Sequence, residues 1–270
     1  MAFDFSGYMR NGNAGRFCDA VWGCNMRGAV RRMSDRPHLL ILDVSGFAYR
    51  AHHAMPPVYR PKDGQPIGAV LGLMAMTWRL LGVAQSDKPT HGAAVFDAPG
   101  KNFRHKLDPG YKANRPPSRN VELAEQFPVM HHAAETLGFK TIEVPGVEAD
   151  DTIASLAVKA RAAGMRTTIV SSDKDFGQVV EDGWIEIYAP IQRRRLLAAD
   201  VETKMGVPPK MVPHVQALWG DAVDNIIGVD GVGRDKAARL VLRFGGIEDV
   251  LAAAKDVRWP PVRAQLMKNA

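Results

Sequence analysis

Three short apolar segments that run into aspartate constrain this chain more than any other feature. LLILD closes on Asp43, AAVFD closes on Asp97, and TIVSS is followed by Asp173. Together with KTIEV (140–144) and WIEIY (184–188), the segments at 38–43, 92–97 and 167–173 have the length and β-branched content of buried strands. Helical patterning fills 66–84, 121–137, 149–163 and 174–181 between them. Strands alternating with helices predict an α/β fold, a mostly parallel sheet with helices on both faces. In such a sheet ligands bind beyond the carboxyl ends of the strands, so the three aspartates are expected to converge. One strand-end aspartate is ordinarily a turn former or helix cap. Three of them read as a site.

More acids join the cluster. Glu148, Asp150 and Asp151 precede or open the helical segment at 149–163, and three acids in four residues exceed what the helix dipole calls for. Asp175 follows Asp173 at i+2. Asp221 and Asp224 sit at i,i+3 in GDAVDN, on one face if that stretch is helical. Nine carboxylates in one cleft would repel one another prohibitively without cations. An oxygen-only ligand set suits Mg²⁺ or Mn²⁺. Two such ions about 4 Å apart can activate a water and stabilise the leaving oxygen of a phosphodiester.

Charge then becomes informative. The net charge is +6, with 35 Lys+Arg against 29 Asp+Glu. Setting the nine clustered acids aside leaves 20 against the same 35, an excess of 15 positive charges elsewhere. A cation-filled acidic pocket in a basic surface suits a nuclease, because phosphates need basic contacts for affinity.

The apolar run from Ile67 to Trp78 is too short to span a bilayer, so no membrane segment is expected. Cys18 and Cys24 are the only cysteines and form no disulfide framework, which with the absence of a secretory signal fits a reducing cytoplasm. Residues 1–36 differ from the rest, rich in Gly, Asn and Arg and without periodicity. An organelle-targeting peptide, a disordered extension, and sequence upstream of a start at Met33 all fit them. Residues 37–199 are expected to form the α/β core. After Ala199 strand signals stop, and 200–270 read as a small helical subdomain.

Five blocks carry a resemblance: LDVSGFAYRAHHA (42–54), FDAPGKNFRHKLDPGYKANRPP (96–117), GVEADDTIASLA (146–157), SSDKDFGQVV (171–180) and GDAVDNIIGVDGVGRDKAARL (220–240). In this order they resemble the 5′-nuclease domain of bacterial DNA polymerase I, within the flap-endonuclease family, over about residues 38–254. The resemblance implies a structure-specific 5′-3′ exonuclease and flap endonuclease. Its substrates would be DNA with a free 5′ end or flap and RNA–DNA primer junctions, and its partner a DNA polymerase in cis or in trans. It assigns Asp43, Asp97, Glu148, Asp150, Asp151 and Asp173 to a first Mg²⁺ site and Asp175, Asp221 and Asp224 to a second. Lys112 and Arg115 match a basic pair that holds the scissile phosphate, and Arg50 a basic position beside the first strand. Tyr111 matches an aromatic on which a terminal base stacks, with a packing role as the alternative.

Gly228 to Leu240 looks like the family's helix–hairpin–helix, where Gly228, Gly231 and Gly233 let backbone N–H groups approach a duplex phosphate. Arg234 and Lys236 are the expected duplex contacts there, and the family often binds K⁺ at this hairpin. Val44, Val223, Ile227 and Asp230 depart from the family pattern, and Asp230 adds negative charge beside a phosphate site. Two other functions compete: a DNA-structure-binding protein with little catalysis, and a small-molecule phosphatase using strand-end aspartates.

Overall fold

The computed structural model describes residues 36–54, 57–83, 89–115 and 121–269. All of the expected N-terminal extension except Arg36 lies outside the described residues. Strand β1 (His38–Asp43) is buried along its whole length and leads directly into helix α1 (Val44–Ala54). Helix α2 (Gly68–Val83) then returns the chain to β2 (His91–Phe96). A single helical turn, α3 (Arg104–Leu107), precedes α4 (Val121–Ala124) and α5 (Phe127–Thr136). Strand β3 (Lys140–Glu143), helix α6 (Ala149–Ala162) and strand β4 (Arg166–Val170) follow. A 3-10 turn (Asp175–Val179) leads to β5 (Ile185–Ala189) and β6 (Arg194–Leu196).

The sheet has the order β3-β2-β1-β4-β5-β6. The first five strands are parallel, and β6 pairs antiparallel with β5 as a short edge strand that the sequence pattern did not announce. Side chains alternate across a strand, which divides β1 between two cores. Leu40 and Leu42 pack with Ala48, Leu73 and Met130 from α1, α2 and α5. Leu39 and Ile41, also buried, point the other way, and α6 packs across β1, β2, β4 and β5 with Ile153, Ala157 and Ala160 buried. Each fully buried Leu or Ile contributes roughly 1.5–3 kcal/mol, so this central strand is firmly anchored.

Helices on both faces, with strand order reversing direction at β1, make the gap between the ends of β1 and β4 the topological switch point. Asp43 ends β1 there, and Ser171 to Asp173 follow β4. The segment predicted as one helix over 121–137 is interrupted between α4 and α5, and that over 174–181 is the 3-10 turn.

The C-terminal part is helical: α7 (Ala198–Met205), α8 (Val212–Trp219), α9 (Arg234–Phe244), α10 (Ile247–Ala252) and α11 (Pro260–Asn269). Strand pairing does not stop at Ala199, however. A two-residue ladder, β7 (Gly220–Asp221) with β8 (Ile226–Ile227), sits between α8 and α9. GDAVDN is therefore a hairpin rather than a helix, because Gly220 takes φ +80° and ends α8. Residues Pro37–Ala270 form one compact unit. No helix among the described residues is long and apolar enough to cross a membrane.

Candidate active site

Asp43 is the buried centre of the site, 5% exposed. Its Oδ1 accepts from the Gly46 N–H at 2.9 Å and its Oδ2 from the Ser171 hydroxyl at 2.6 Å, a bond that crosses the switch point from β4 to β1. Burial pushes its carboxyl above the usual aspartate range, and the nearby Asp173 and Asp97 add to that against the two hydrogen bonds.

Asp97 joins from the end of β2. Its N–H donates to Ser45 Oγ at 2.7 Å, and its Oδ1 accepts from the Ala149 N–H at 2.7 Å. That second bond caps α6 from a different strand. Glu148 occupies the cap position in extended conformation but makes no side-chain cap of its own. The helix start is thereby pinned to the sheet, and Asp150 in its first turn is aimed at the strand ends.

Asp150 is the most telling residue. No described residue donates a hydrogen bond to it. Burial pushes its carboxyl well up, and Asp43, Asp173, Asp97 and Glu148 all push the same way. Asp175 is also raised, by burial first and then by Asp173, although the Gln216 amide donates to it at 2.5 Å. Asp173 accepts from the Asp175 N–H at 2.9 Å, so the pair is held by its own backbone.

The other carboxylates meet side-chain cations. Arg104 grips both oxygens of Asp151, at 2.5 and 2.7 Å, and reaches Glu148 at 3.0 Å. Lys112 is ion-paired with Glu148, and Tyr111 Oη, with one proton to give, lies 2.7 Å from Glu148 Oε2 and 3.1 Å from Asp224 Oδ2. Burial raises the Glu148 carboxyl, but these donors outweigh it and hold the group below the usual glutamate range. Arg115 reaches Asp224 at 2.5 Å. Lys174 reaches Asp221 at 2.5 Å, and that contact outweighs burial to hold Asp221 low. Among the described residues, accordingly, no group of three or more His, Cys, Asp or Glu is drawn together as a ready metal cage.

Geometry thus gathers the nine predicted acids around one end of the sheet but in two states: Asp43, Asp97, Asp150 and Asp173 facing one another, and Glu148, Asp151, Asp221 and Asp224 on basic side chains, with Asp175 between the two, bonded to Gln216 and 3.5 Å from Lys174. The donor set still fits a hard divalent cation, since all the charged ligands are oxygens and Asp150 has carboxylate neighbours but no donor among the described residues. Glu148, Asp151, Asp221 and Asp224 would exchange a protein cation for a bound one.

Lys112 lies against the acids, paired with Glu148, and reaches them by an unusual route. Its φ is +55°, a conformation that costs a non-glycine residue about 1–2 kcal/mol. Its N–H donates to the Asp224 carbonyl at 2.9 Å, and Asn114 and Asn225 stitch the same loop to the hairpin at 2.9 and 2.7 Å. Tyr111 requires correction as a base-stacking platform. It is 5% exposed, with its hydroxyl committed to two carboxylates and its ring beneath Lys112 and Arg104, so neither face is open to a nucleobase. Arg50 meets no carboxylate among the described residues and faces a separate cleft beside Asp43. Arg104, Lys174, Ser171 and Ser45 escaped the sequence reading. Arg104 lay inside a quoted block, yet nothing in its spacing tied it to Asp151, 47 residues on.

The helix–hairpin–helix takes form in α8 and α9, packed on each other with the predicted glycines between them. Gly228 is needed for a reason other than phosphate access: a Cβ there would lie 2.2 Å from the Trp219 carbonyl oxygen. Gly231 takes φ +74°, and Gly233 caps α9 in extended conformation with open space around it. Lys236 donates to the Gly231 carbonyl at 2.8 Å and Arg234 pairs with Asp235, both exposed.

Residues 38–206 match the family model described as 5′-3′ exonuclease, N-terminal resolvase-like domain. Residues 207–270 match its companion, 5′-3′ exonuclease, C-terminal SAM fold. The chain belongs to the 5′-3′ exonuclease family. It is 39% identical to DNA polymerase I of Rhizobium leguminosarum over 258 residues, which cover 93% of this chain and 25% of that protein. It is 37% identical to the 5′-3′ exonuclease of Aquifex aeolicus (strain VF5) over 213 residues, covering 79% of this chain and 72% of that one. The chain thus spans about a quarter of its DNA polymerase I relatives. Among solved structures, T5 5′-exonuclease with bound zinc superposes with a TM-score of 0.68 at 20% identity, covering 85% of this chain and 84% of that one. A T5 flap endonuclease complexed with DNA and metal ions gives 0.65 at 21% identity, covering 86% and 87%. At such identity these two show the shared fold of the 5′-3′ exonuclease family.

Proposed function

We propose that this 5′-3′ exonuclease family member hydrolyses DNA phosphodiesters at 5′ ends and 5′ flaps, RNA-primer junctions included, with two divalent cations, Mg²⁺ or Mn²⁺. Asp150 carries the reading: a half-buried carboxylate with no donor among the described residues, facing four other acids, keeps its charge only where a cation enters and otherwise takes up a proton. Asp43, Asp97, Glu148, Asp150 and Asp173 would hold the first ion, joined by Asp151 once Arg104 releases it. Asp175, Asp221 and Asp224 would hold the second, with Asp173 close to both.

Cations held there would supply an acidified water and offset charge at the leaving oxygen. The remaining work falls to this chain's own side chains. Lys112 and Arg115, on the loop braced by Asn114 and Asn225, are positioned to contact a phosphate and offset its charge as it becomes more negative in the transition state. With Glu148 and Asp224 holding cations, Lys112 and Arg115 would be free of their internal partners and available to substrate.

We take residues 200–270 as a duplex-holding subdomain in which the Gly231–Gly233 backbone, Arg234 and Lys236 contact phosphate, with K⁺ as its candidate ion. A DNA polymerase, in cis or in trans, is the proposed partner, and the bacterial cytoplasm the proposed location. The ion pairs that already satisfy Glu148, Asp151, Asp221 and Asp224 favour one competing reading, a DNA-structure-binding protein with little turnover. A labelled 5′-flap duplex separates the two. Cleavage in Mg²⁺ that leaves a 5′-phosphate and is lost in Asp43→Asn supports the nuclease. Tight flap binding in chelator with no turnover in Mg²⁺ or Mn²⁺ would overturn it.

A further inference from the structure

Arginine and lysine side chains around the site divide into two groups. Arg104, Lys112, Arg115 and Lys174 are each bonded to an acid. Arg50 on α1 and Arg79 on α2 are exposed, and among the described residues neither meets a carboxylate in an ion pair. Both line one cleft of about 260 Å³ that also has Asp43 and Ser171 in its wall. The rest of that wall is largely apolar, with Phe47, Met76 and Ile191 among its lining residues.

A cleft with two guanidinium groups that no described carboxylate pairs with, and an apolar lining, suits a ligand that joins an anion to a flat, weakly polar body. Its volume lies near the lower end of small-molecule sites, enough for one nucleotide and far too small for a duplex. Guanidinium groups bind phosphate oxygens through paired N–H donors, and two of them match a doubly charged phosphate monoester better than a singly charged diester. Asp43 lies between this cleft and the carboxylate cluster. A strand cleaved at the cluster would therefore place its neighbouring nucleotide here.

We propose that this cleft is a subsite for the 5′-terminal nucleotide, with Arg79 and Arg50 recognising its 5′-phosphate and Phe47, Met76 and Ile191 receiving its base. The proposal rests on the nuclease reading above. It makes Arg79 a specificity-determining residue: the protein discriminates a 5′-phosphoryl end from a 5′-hydroxyl end when it removes the terminal nucleotide.

The test uses the full chain with Mg²⁺ and two duplexes identical except for a 5′-phosphate or a 5′-hydroxyl on the terminal nucleotide. The protein is expected to favour the phosphoryl end by about tenfold in kcat/KM, mainly through KM, the size of one charge-assisted contact. Arg79→Gln brings that ratio towards one, and Arg79→Lys, which keeps the charge without the fork, restores part of it. A structural effect of the substitution would slow both substrates alike and leave the ratio where it was. An unchanged ratio in Arg79→Gln, or equal rates on the two ends for the unsubstituted protein, overturns the subsite. Absence of cleavage on every substrate overturns the nuclease reading instead.

Discussion

Arg104 holds both carboxylate oxygens of Asp151, at 2.5 and 2.7 Å, and so occupies a proposed metal ligand with a cation of the protein's own. The pair is partly buried, with 30% and 22% of the two side chains exposed. Removing the guanidinium strips Asp151 and Glu148 of a charged donor together. Arg104→Ala is expected to destabilise the metal-free protein by about 1–3 kcal/mol, the scale of hydrogen bonds to charged groups. Mg²⁺ should recover more stability in the variant than in the parent, because it replaces the lost charge. Urea unfolding with and without Mg²⁺ measures both, and an equal Mg²⁺ effect in the two proteins would count against the exchange.

Asp150 should behave in the opposite sense. Asp150→Asn removes a charge repelled by Asp43, Asp173, Asp97 and Glu148. The variant is expected to be more stable than the parent in chelator, by about 0.5–2 kcal/mol, while losing cleavage. Thermal unfolding in chelator, paired with a flap assay in Mg²⁺, checks the trade.

The same carboxylate sets a pH dependence. Its folded pKa lies above 3.8, so the folded state binds its proton more tightly than the unfolded chain does. Stability from this group is complete below 3.8 and is lost as pH rises through the raised value. In chelator, the advantage of Asp150→Asn over the parent should grow as pH rises from about 4, and flatten once the carboxyl is ionised. Glu148 and Asp221, held low, act the other way and lose their contribution as pH falls. The difference between the parent and Asp150→Asn curves isolates the first effect, and a gap that narrows with rising pH would contradict it.

Lys112→Ala should lower kcat on a flap substrate by about 10²–10³, the loss associated with removing one preorganised donor to a developing charge. Binding in chelator should fall far less. Single-turnover rates alongside a binding titration distinguish the two, and equal losses in both would assign Lys112 to ground-state affinity.

Gly228→Ala would place a methyl 2.2 Å from the Trp219 carbonyl oxygen, where only backbone movement can make room. The β7–β8 ladder carries Asp221 at one end and precedes α9. Loss of duplex binding and of turnover is expected together, with the parallel sheet intact. Far-ultraviolet circular dichroism that stays native-like while flap affinity collapses would establish this.

Periodicity made the sheet legible because a parallel sheet buries its strands on both faces, leaving short continuous apolar runs such as LLILD and AAVF. Observed β1 has the predicted limits, and the ends of the other predicted strands shift by at most three residues. The edge strand β6, RRL, and the two-residue ladder escaped because edge and hairpin segments carry no apolar run. GDAVDN offered helical spacing with equal plausibility, and only the turn at Gly220 decides against it.

Within the site, residue type was readable and partnership was not. Carboxylates at strand ends point to a cation site because their mutual repulsion has to be offset, and that is a property of local sequence and fold class together. Which acid pairs with which base depends on segments far apart in the chain, such as Arg104 with Asp151 or Lys174 with Asp221. Tyr111 shows the difference most plainly: an aromatic beside YKANR reads as a stacking surface until packing buries it under its own basic neighbours. The sequence by itself determined the strand order's raw material, the acidic cluster and the basic surplus, since those follow from composition and spacing. Tertiary structure alone decided that, among the described residues, Asp150 stands without a donor while Asp151 does not, because contacts across the switch point are made in space and leave no period in the chain.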